Sequence, residues 1–336
     1  MFNISAFIDL PLVFVGVIAL AIFLYVLLDG FDLGVGILFP FAPSDECRSK
    51  MMNSVAPFWD GNETWLVMGG SALFAAFPIA YSIIMPALYI PITLMLLGLI
   101  LRGVAFEFRF KTTSKNEQKI WDYSFHFGSL IATFFQGVML GCFVSGLECC
   151  VKNYLGWFNG FALMTGVALI FGYALIGSTW LIMKTHGRTH DWARQSAFYA
   201  LVFVGFFILL VSAWTPLLNQ KILFRWFSLP NIFYLSPIPL LTLLTFFFLI
   251  KALLNKKEVQ PFVLTILLFT LCYFGIAVTL FPYVLPYEVP FSKVAAAPES
   301  LSFLFVGLVV TLPVILVYTI YSYYIFRGKS SHERMY

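Results

Sequence analysis

Charge is what this 336-residue sequence has least of: Asp, Glu, Lys and Arg together make up 11% of it. No polar stretch is long enough for a soluble domain, so a single domain is expected over residues 1–336. Hydrophobic residues reach 61% and the mean hydropathy is +0.91. A soluble fold of this size would leave too much of that apolar surface in water, so the bilayer must be the solvent. The net charge of +4 is spread over short loops and forms no basic stripe, which excludes a nucleic-acid partner. The N-terminus has no basic n-region and no small-residue cleavage site, so residues 12–28 read as a retained span. Cysteine is sparse and odd in number (Cys47, Cys142, Cys149, Cys150 and Cys272), with no C-x-x-C pair and no metal-site spacing. Adjacent Cys149 and Cys150 are poorly placed to bridge each other, and the cysteines read as small packing residues. No metal is expected in this chain.

What the sequence does have is long apolar runs. A helix needs about 20 apolar residues to cross the hydrocarbon core. Charge-free runs cover 10–28, 64–101, 123–147, 153–183, 195–220, 226–250, 259–287 and 300–326. The second is long enough for two helices, breaks at Phe77-Pro78, and has its first helix starting before Asp60. The expected fold class is therefore all-α, with nine transmembrane helices. Sixteen of the twenty Lys and Arg fall on one side of that topology, leaving only Lys152, Lys221, Arg225 and Lys293 on the other. The positive-inside rule then puts the N-terminus outside and the C-terminus in the cytoplasm.

The few ionisable residues within the spans are concentrated. Each costs about 2.5 kcal/mol or more at a helix centre, so each requires a reason. Asp29 and Asp32 close the first helix, Asp60 and Glu63 open the second, Arg102 ends the third, and Asp122 begins the fourth, with His126 one turn deeper. All fall in the inner half of the bilayer, at one end of a four-helix cluster. Spacings of three put Asp29 with Asp32, and Asp60 with Glu63, on shared helix faces, while Asp122 and His126, four apart, can hydrogen-bond. Burial favours the neutral form of a carboxyl and a nearby Arg the charged form, so such a set can hold or relay protons. The plainer reading is anchoring: helix ends tolerate charge, a helix N-terminus favours an anion, and Arg102 can snorkel to the interface. For Asp60 and Glu63 together, which need burial beside each other, function is the better reading.

Gly30 and Gly34 form G-x-x-x-G, a signal for close helix approach; no strand precedes it, so it is not a nucleotide motif. Tyr and Trp near span ends (Trp121, Trp157, Trp192, Trp214, Trp226) suit an interfacial belt. The 39 Phe fit either lipid-facing bulk or a cofactor-contacting surface.

Four stretches resemble subunit II of the cytochrome bd-type quinol oxidases, including the cyanide-insensitive variants. They are Leu28-Asp29-Gly30-Phe31-Asp32-Leu33-Gly34, the long and specific Pro57-Phe58-Trp59-Asp60-Gly61-Asn62-Glu63-Thr64-Trp65-Leu66, Phe77-Pro78-Ile79-Ala80-Tyr81, and Leu101-Arg102-Gly103-Val104-Ala105-Phe106-Glu107-Phe108-Arg109. Beyond about Gly187 the likeness is one of hydropathy pattern.

The resemblance implies two four-helix bundles (about 10–147 and 153–287) plus a peripheral helix (about 300–326). It implies a subunit of a quinol:dioxygen oxidoreductase in the bacterial inner membrane, active only with subunit I. Haems b and d, or a b-type replacement, would belong to that partner. Asp60, with Glu63 and Trp59, would line a cytoplasm-facing proton route; Asp29, Arg102 and Asp122 would support the haem cluster. Small accessory subunits, lipids and a structural quinone are further partners of such complexes. The residues themselves agree on one point: haem iron needs His, Cys, Met or Tyr ligands, and one His well inside a span is too few for several haems. A proton-coupled secondary transporter is the alternative function, although paired broken helices near the midplane, which it would favour, are missing from the pattern.

Overall fold

The first helix continues to Leu38, nine residues past Asp29, where charge appears. In the computed structural model, which describes residues 8–112 and 114–330, α1 runs Leu10–Leu38. Asp9 caps it by accepting from the backbone N–H of Leu12, and Pro11 sits in its first turn, where the missing N–H costs nothing. Asp29 and Asp32 are thus inside the helix and do not close it. The expectation failed because it assumed that a charge ends a span; here each carboxylate finds a partner from another helix.

Thirteen further α-helices follow among the described residues: after α1 come α2 (Asp45–Val55), α3 (Trp59–Ala76), α4 (Pro78–Ala87), α5 (Tyr89–Arg109), α6 (Lys115–Ser145) and α7 (Glu148–Lys152). Then come α8 (Gly160–Lys184), α9 (Arg188–Leu218), α10 (Gln220–Phe227), α11 (Asn231–Leu235), α12 (Pro237–Leu254), α13 (Gln260–Leu280) and α14 (Pro298–Ile325). The run 64–101 yields three helices where two were expected. The chain breaks at Phe77, before Pro78, as the sequence indicates, and again at Leu88. Arg102 and Asp122 are also interior to α5 and α6, not at their ends. The run 226–250 is split at Ser228–Pro230, and its membrane-crossing part starts with the short α11 at Asn231 and continues as α12 from Pro237. One short hairpin, β1 (Tyr283–Leu285) with antiparallel β2 (Val289–Pro290), interrupts an otherwise helical chain.

Among the described residues, eight helices are long and apolar enough to cross a membrane: α1, α5, α6, α8, α9, α12 with the short α11 before it, α13 and α14. The ninth expected span, α3, forms as an 18-residue helix, but its first turns carry Trp59, Asp60, Asn62, Glu63 and Thr64 and it does not count among those eight. Both chain termini, whose sides of the membrane were expected from the loop charges, lie outside the described residues.

Small residues set the central packing. At Gly34 an added Cβ would fall 1.8 Å from the Tyr173 carbonyl oxygen, and at Gly177 one would fall 2.5 Å from the Gly34 carbonyl carbon. Helices α1 and α8 therefore touch backbone to backbone, as the G-x-x-x-G spacing indicates. Gly98 and Gly128 bring α5 and α6 together in the same way, each Cβ position lying within 2.8 Å of the other helix's backbone. Phe31 stacks on Trp180 (4.1 Å between centroids) and Phe58 on Tyr323 (4.3 Å), so α1, α8 and α14 meet through rings. Outward faces of α9, α12 and α14 carry Phe203, Phe206, Leu240, Phe247, Val310 and Val317, all exposed. That is the composition of a surface made for hydrocarbon.

Candidate functional site

Arg102, on the face of α5 turned toward α1 and α3, has no exposed surface. A buried guanidinium survives only if its charge is matched and its N–H groups are accepted. Its Nη1 donates to Asp29 Oδ1 of α1 at 2.7 Å, and its Nη2 donates to Glu63 Oε1 in the first turns of α3. The planar fork thus joins three helices, which a lysine's single ammonium could not do in the same geometry.

One turn on from Asp29, Asp32 is also fully buried, and it is met by an amide instead of a cation. Asn62 Nδ2 donates to Asp32 Oδ2 at 2.7 Å and to the Leu28 carbonyl at 3.1 Å, while Tyr323 of α14 donates its hydroxyl to Asn62 Oδ1 at 3.0 Å. Among the described residues, one oxygen of each carboxylate, Asp29 Oδ2 and Asp32 Oδ1, is buried with no hydrogen-bond partner. On the other side of Asp29, Tyr25 sits one helical turn away and accepts from Gln136 Nε2 (2.7 Å); Gln136 Oε1 accepts from Tyr173 (2.9 Å). A line of polar side chains therefore runs along the α1, α6 and α8 contact from the Arg102 cluster.

Glu63 is the edge of the cluster, with 27% of its side chain exposed. Asp60, one turn earlier, is exposed, so the two are not buried beside each other as the sequence reading required. Beside them Trp59 stacks flat on Phe106 (5.1 Å, 9°), where Gly103 leaves room for the ring.

Asp122 does not join the cluster. Its partner is Arg109, whose Nε donates to Asp122 Oδ1 at 2.5 Å while the guanidinium lies over the Phe39 ring. Nor does Asp122 bond His126: that ring places Nδ1 3.3 Å from the Gly36 carbonyl, between Phe41 and Phe127. Arg109 is the stronger partner because it is buried and charged, and it takes the carboxylate that spacing alone assigned to the histidine. Two of the site's residues escaped the sequence reading although signals existed. Arg109 follows Arg102 by seven residues, two turns along one face, and Gln136 is the only amide in the run 123–147. Asn62 and Tyr323 gave no such signal; 261 residues separate them.

The same arrangement has a family. Residues 10–326 match the model of cytochrome bd terminal oxidase subunit II. The chain belongs to the cytochrome bd terminal oxidase subunit II family. It is 30% identical over 342 residues to cytochrome bd ubiquinol oxidase subunit 2 of Bacillus subtilis (strain 168), with 97% of each chain covered. It is 28% identical over 351 residues to cytochrome bd-I ubiquinol oxidase subunit 2 of Escherichia coli (strain K12), covering 91% of each. A chain of the bd oxidase from Geobacillus thermodenitrificans shares the fold with a TM-score of 0.75, over 95% of this chain and 97% of that one. At 15% identity that likeness concerns the fold alone. As a bd oxidase subunit with this set of apolar helices, the protein is an integral protein of the bacterial inner membrane. Among the described residues no three His, Cys, Asp or Glu side chains group as a metal site, and the nitrogen of His126 facing the protein is taken up by Gly36.

Proposed function

We propose that this subunit ligates no haem and serves a quinol:dioxygen oxidoreductase in two ways, by opening a cytoplasm-facing proton route and by bracing the haem-bearing subunit I. The observation that carries this reading is the graded burial of the acidic set. Asp60 is exposed, Glu63 is at the edge, and Asp29 and Asp32 are sealed around Arg102. Reduction of dioxygen consumes protons, and a carboxylate series leading inward from an exposed end supplies groups that can accept and pass them. Asp60 and Glu63, with Trp59 walling one side, form the entry; Asp29 and Arg102 lock α1, α3 and α5 into the shape that subunit I meets. Asp122 contributes to that bracing separately, by holding Arg109. The strong excess of Lys and Arg on loops at this end supports a cytoplasmic location for the entry and the C-terminus, with the N-terminus periplasmic. Haems b and d, or a b-type replacement, belong to subunit I in this reading. Lipids, accessory subunits and any structural quinone would meet the Phe-rich outer faces.

The test compares turnover with haem content in the purified two-subunit complex. Asp60→Asn should slow oxygen consumption while most haem is retained, and Asp29→Ala or Arg102→Ala should lose haem from the complex. The reverse pattern would refute the division of roles. Normal turnover in Asp60→Asn, with haem intact, would leave the chain a scaffold only. Uptake of a solute by the chain alone in liposomes would instead favour a proton-coupled transporter.

A further inference from the structure

Helix α9 begins beside a cavity. Gly187, at φ +65°, turns the chain from α8 into α9, and no side chain caps the new helix. Between the first two turns of α9 and Pro43, which precedes α2, lies an open cavity of about 470 Å³ lined by Gly187, Arg188, Asp191, Trp192 and Gln195. Arg188, Asp191 and Gln195 are exposed, and among the described residues Arg188 and Gln195 make no ion pair or side-chain hydrogen bond. Asp191 has one carboxylate oxygen 3.2 Å from His190 Nδ1. The Trp192 ring is half-buried and packs on the core. The same face of α9 then continues as hydrocarbon surface. Steps of three and four residues keep to one helix face, and beyond Gln195 they lead to Tyr199, Val202, Phe206 and Leu209, all exposed. On the opposite face Ala193, Ala197 and Val204 are buried. From Gln195 to Leu209 the stripe is about 21 Å long at 1.5 Å per residue, more than half of a hydrocarbon core about 30 Å thick. A polar groove heading an apolar stripe longer than one leaflet has the layout of a phospholipid.

We propose that this groove binds one phospholipid with a phosphoethanolamine head, its acyl chains lying along the exposed face of α9. Arg188 offers two parallel N–H donors to the phosphate oxygens. Asp191 accepts from the primary ammonium, whose N–H groups a quaternary head lacks. Gln195, one turn deeper, donates its amide to an ester carbonyl, and Trp192 lies at the level of the heads. The pairing of a cation with an anion selects a zwitterion. A purely anionic head would satisfy Arg188 but be repelled by Asp191. A soluble phosphate would meet the same repulsion and make no use of the stripe. Basic pockets at the cytoplasmic ends of membrane helices hold lipid heads, and the orientation proposed above puts this one at the inner leaflet.

The probe is a phosphatidylethanolamine with a diazirine in one acyl chain, present as a trace in phosphatidylcholine nanodiscs that hold the purified complex with subunit I. Photolysis, proteolysis and mass spectrometry map the adducts. They should concentrate on α9 between Tyr199 and Leu209, well above those on the exposed faces of α12 and α14. Unlabelled phosphatidylethanolamine should displace them, phosphatidylglycerol only weakly, and inorganic phosphate not at all. Arg188→Gln should lower the α9 excess about tenfold, the effect of losing one charged hydrogen bond. Asp191→Asn should let phosphatidylglycerol compete as well as phosphatidylethanolamine. Both residues are exposed, so the variants should assemble with full haem content. Equal labelling of α9, α12 and α14 would show bulk lipid contact only, and no labelling of α9 would show a protein cover. Displacement by inorganic phosphate would show a soluble-anion site. Each of these overturns the proposal, as does undiminished labelling in Arg188→Gln. The adducts form whichever leaflet supplies the lipid, so the result stands apart from the orientation.

Discussion

Arg102 and Asp29 stand 73 residues apart in the chain, yet they meet at 2.7 Å with neither side chain exposed. Breaking a buried pair by removing one partner costs about 3–5 kcal/mol, because the survivor is left charged and unpaired. Here the arginine serves two carboxylates, so its loss strands both. Arg102→Leu should therefore destabilise the complex more than Asp29→Asn, and Arg102→Lys should restore only part of the difference. Thermal unfolding of the detergent-solubilised complex measures the order, and equal midpoints for the leucine and lysine variants would contradict it.

The second ion pair should behave as a separate unit. Arg109 and Asp122 share no partner with Arg102 and Asp29. Independent sites add, and members of one pair couple by about 0.5–3 kcal/mol. A double-mutant cycle on Arg109→Gln and Asp122→Asn should show that coupling, while Asp122→Asn combined with Asp29→Asn should be additive. Strong coupling in the second cycle would mean that the two ion pairs belong to one network after all.

Glycine 34 has no room for a methyl group. With a Cβ 1.8 Å from the Tyr173 carbonyl oxygen, Gly34→Ala must push α1 away from α8. Overpacking commonly costs about 1–3 kcal/mol, and backbone contacts leave little to yield. Gly16→Ala, where nothing lies within 4 Å, is the control. Membrane yield of the assembled complex should fall sharply for Gly34→Ala and stay level for the control.

Polar contact between the far ends of the chain gives a test on side-chain hydrogen bonding alone. Tyr323→Phe keeps the stack on Phe58 and removes only the hydroxyl that Asn62 accepts. A loss of about 1 kcal/mol is expected. Asn62→Leu should cost more, since it also strips Asp32 of the single donor it has among the described residues. If the two variants unfold alike, Asn62 does not hold Asp32.

A pH effect is expected at the tail. Lys329 donates to Glu258 at 2.8 Å, and this cation holds the Glu258 carboxyl below its ordinary range. A lowered carboxyl pKa means that the tether is fully present above the usual glutamate value of about 4.3 and is lost as pH falls through the lowered value. The pair is exposed, so salt should weaken it too. Proteolysis of the tail in membranes should speed up at acid pH or high salt. Glu258→Gln should be as fast as the wild type at low pH, and should no longer respond to either condition.

The membrane class, the break at Phe77-Pro78, the close approach at Gly34 and the concentration of acidic residues at one end could all be read from residue order. Each depends on local quantities: hydropathy over about 20 positions, a proline's missing N–H, a glycine's missing Cβ. Helix ends and side-chain partners could not be read in that way. Asp29 sits inside a helix because Arg102 arrives from α5, and Asp122 turns from His126 because Arg109 is buried and charged. In each case a group's stability depends on what lies across from it, and that is set by packing between segments distant in sequence, which no window of residues contains.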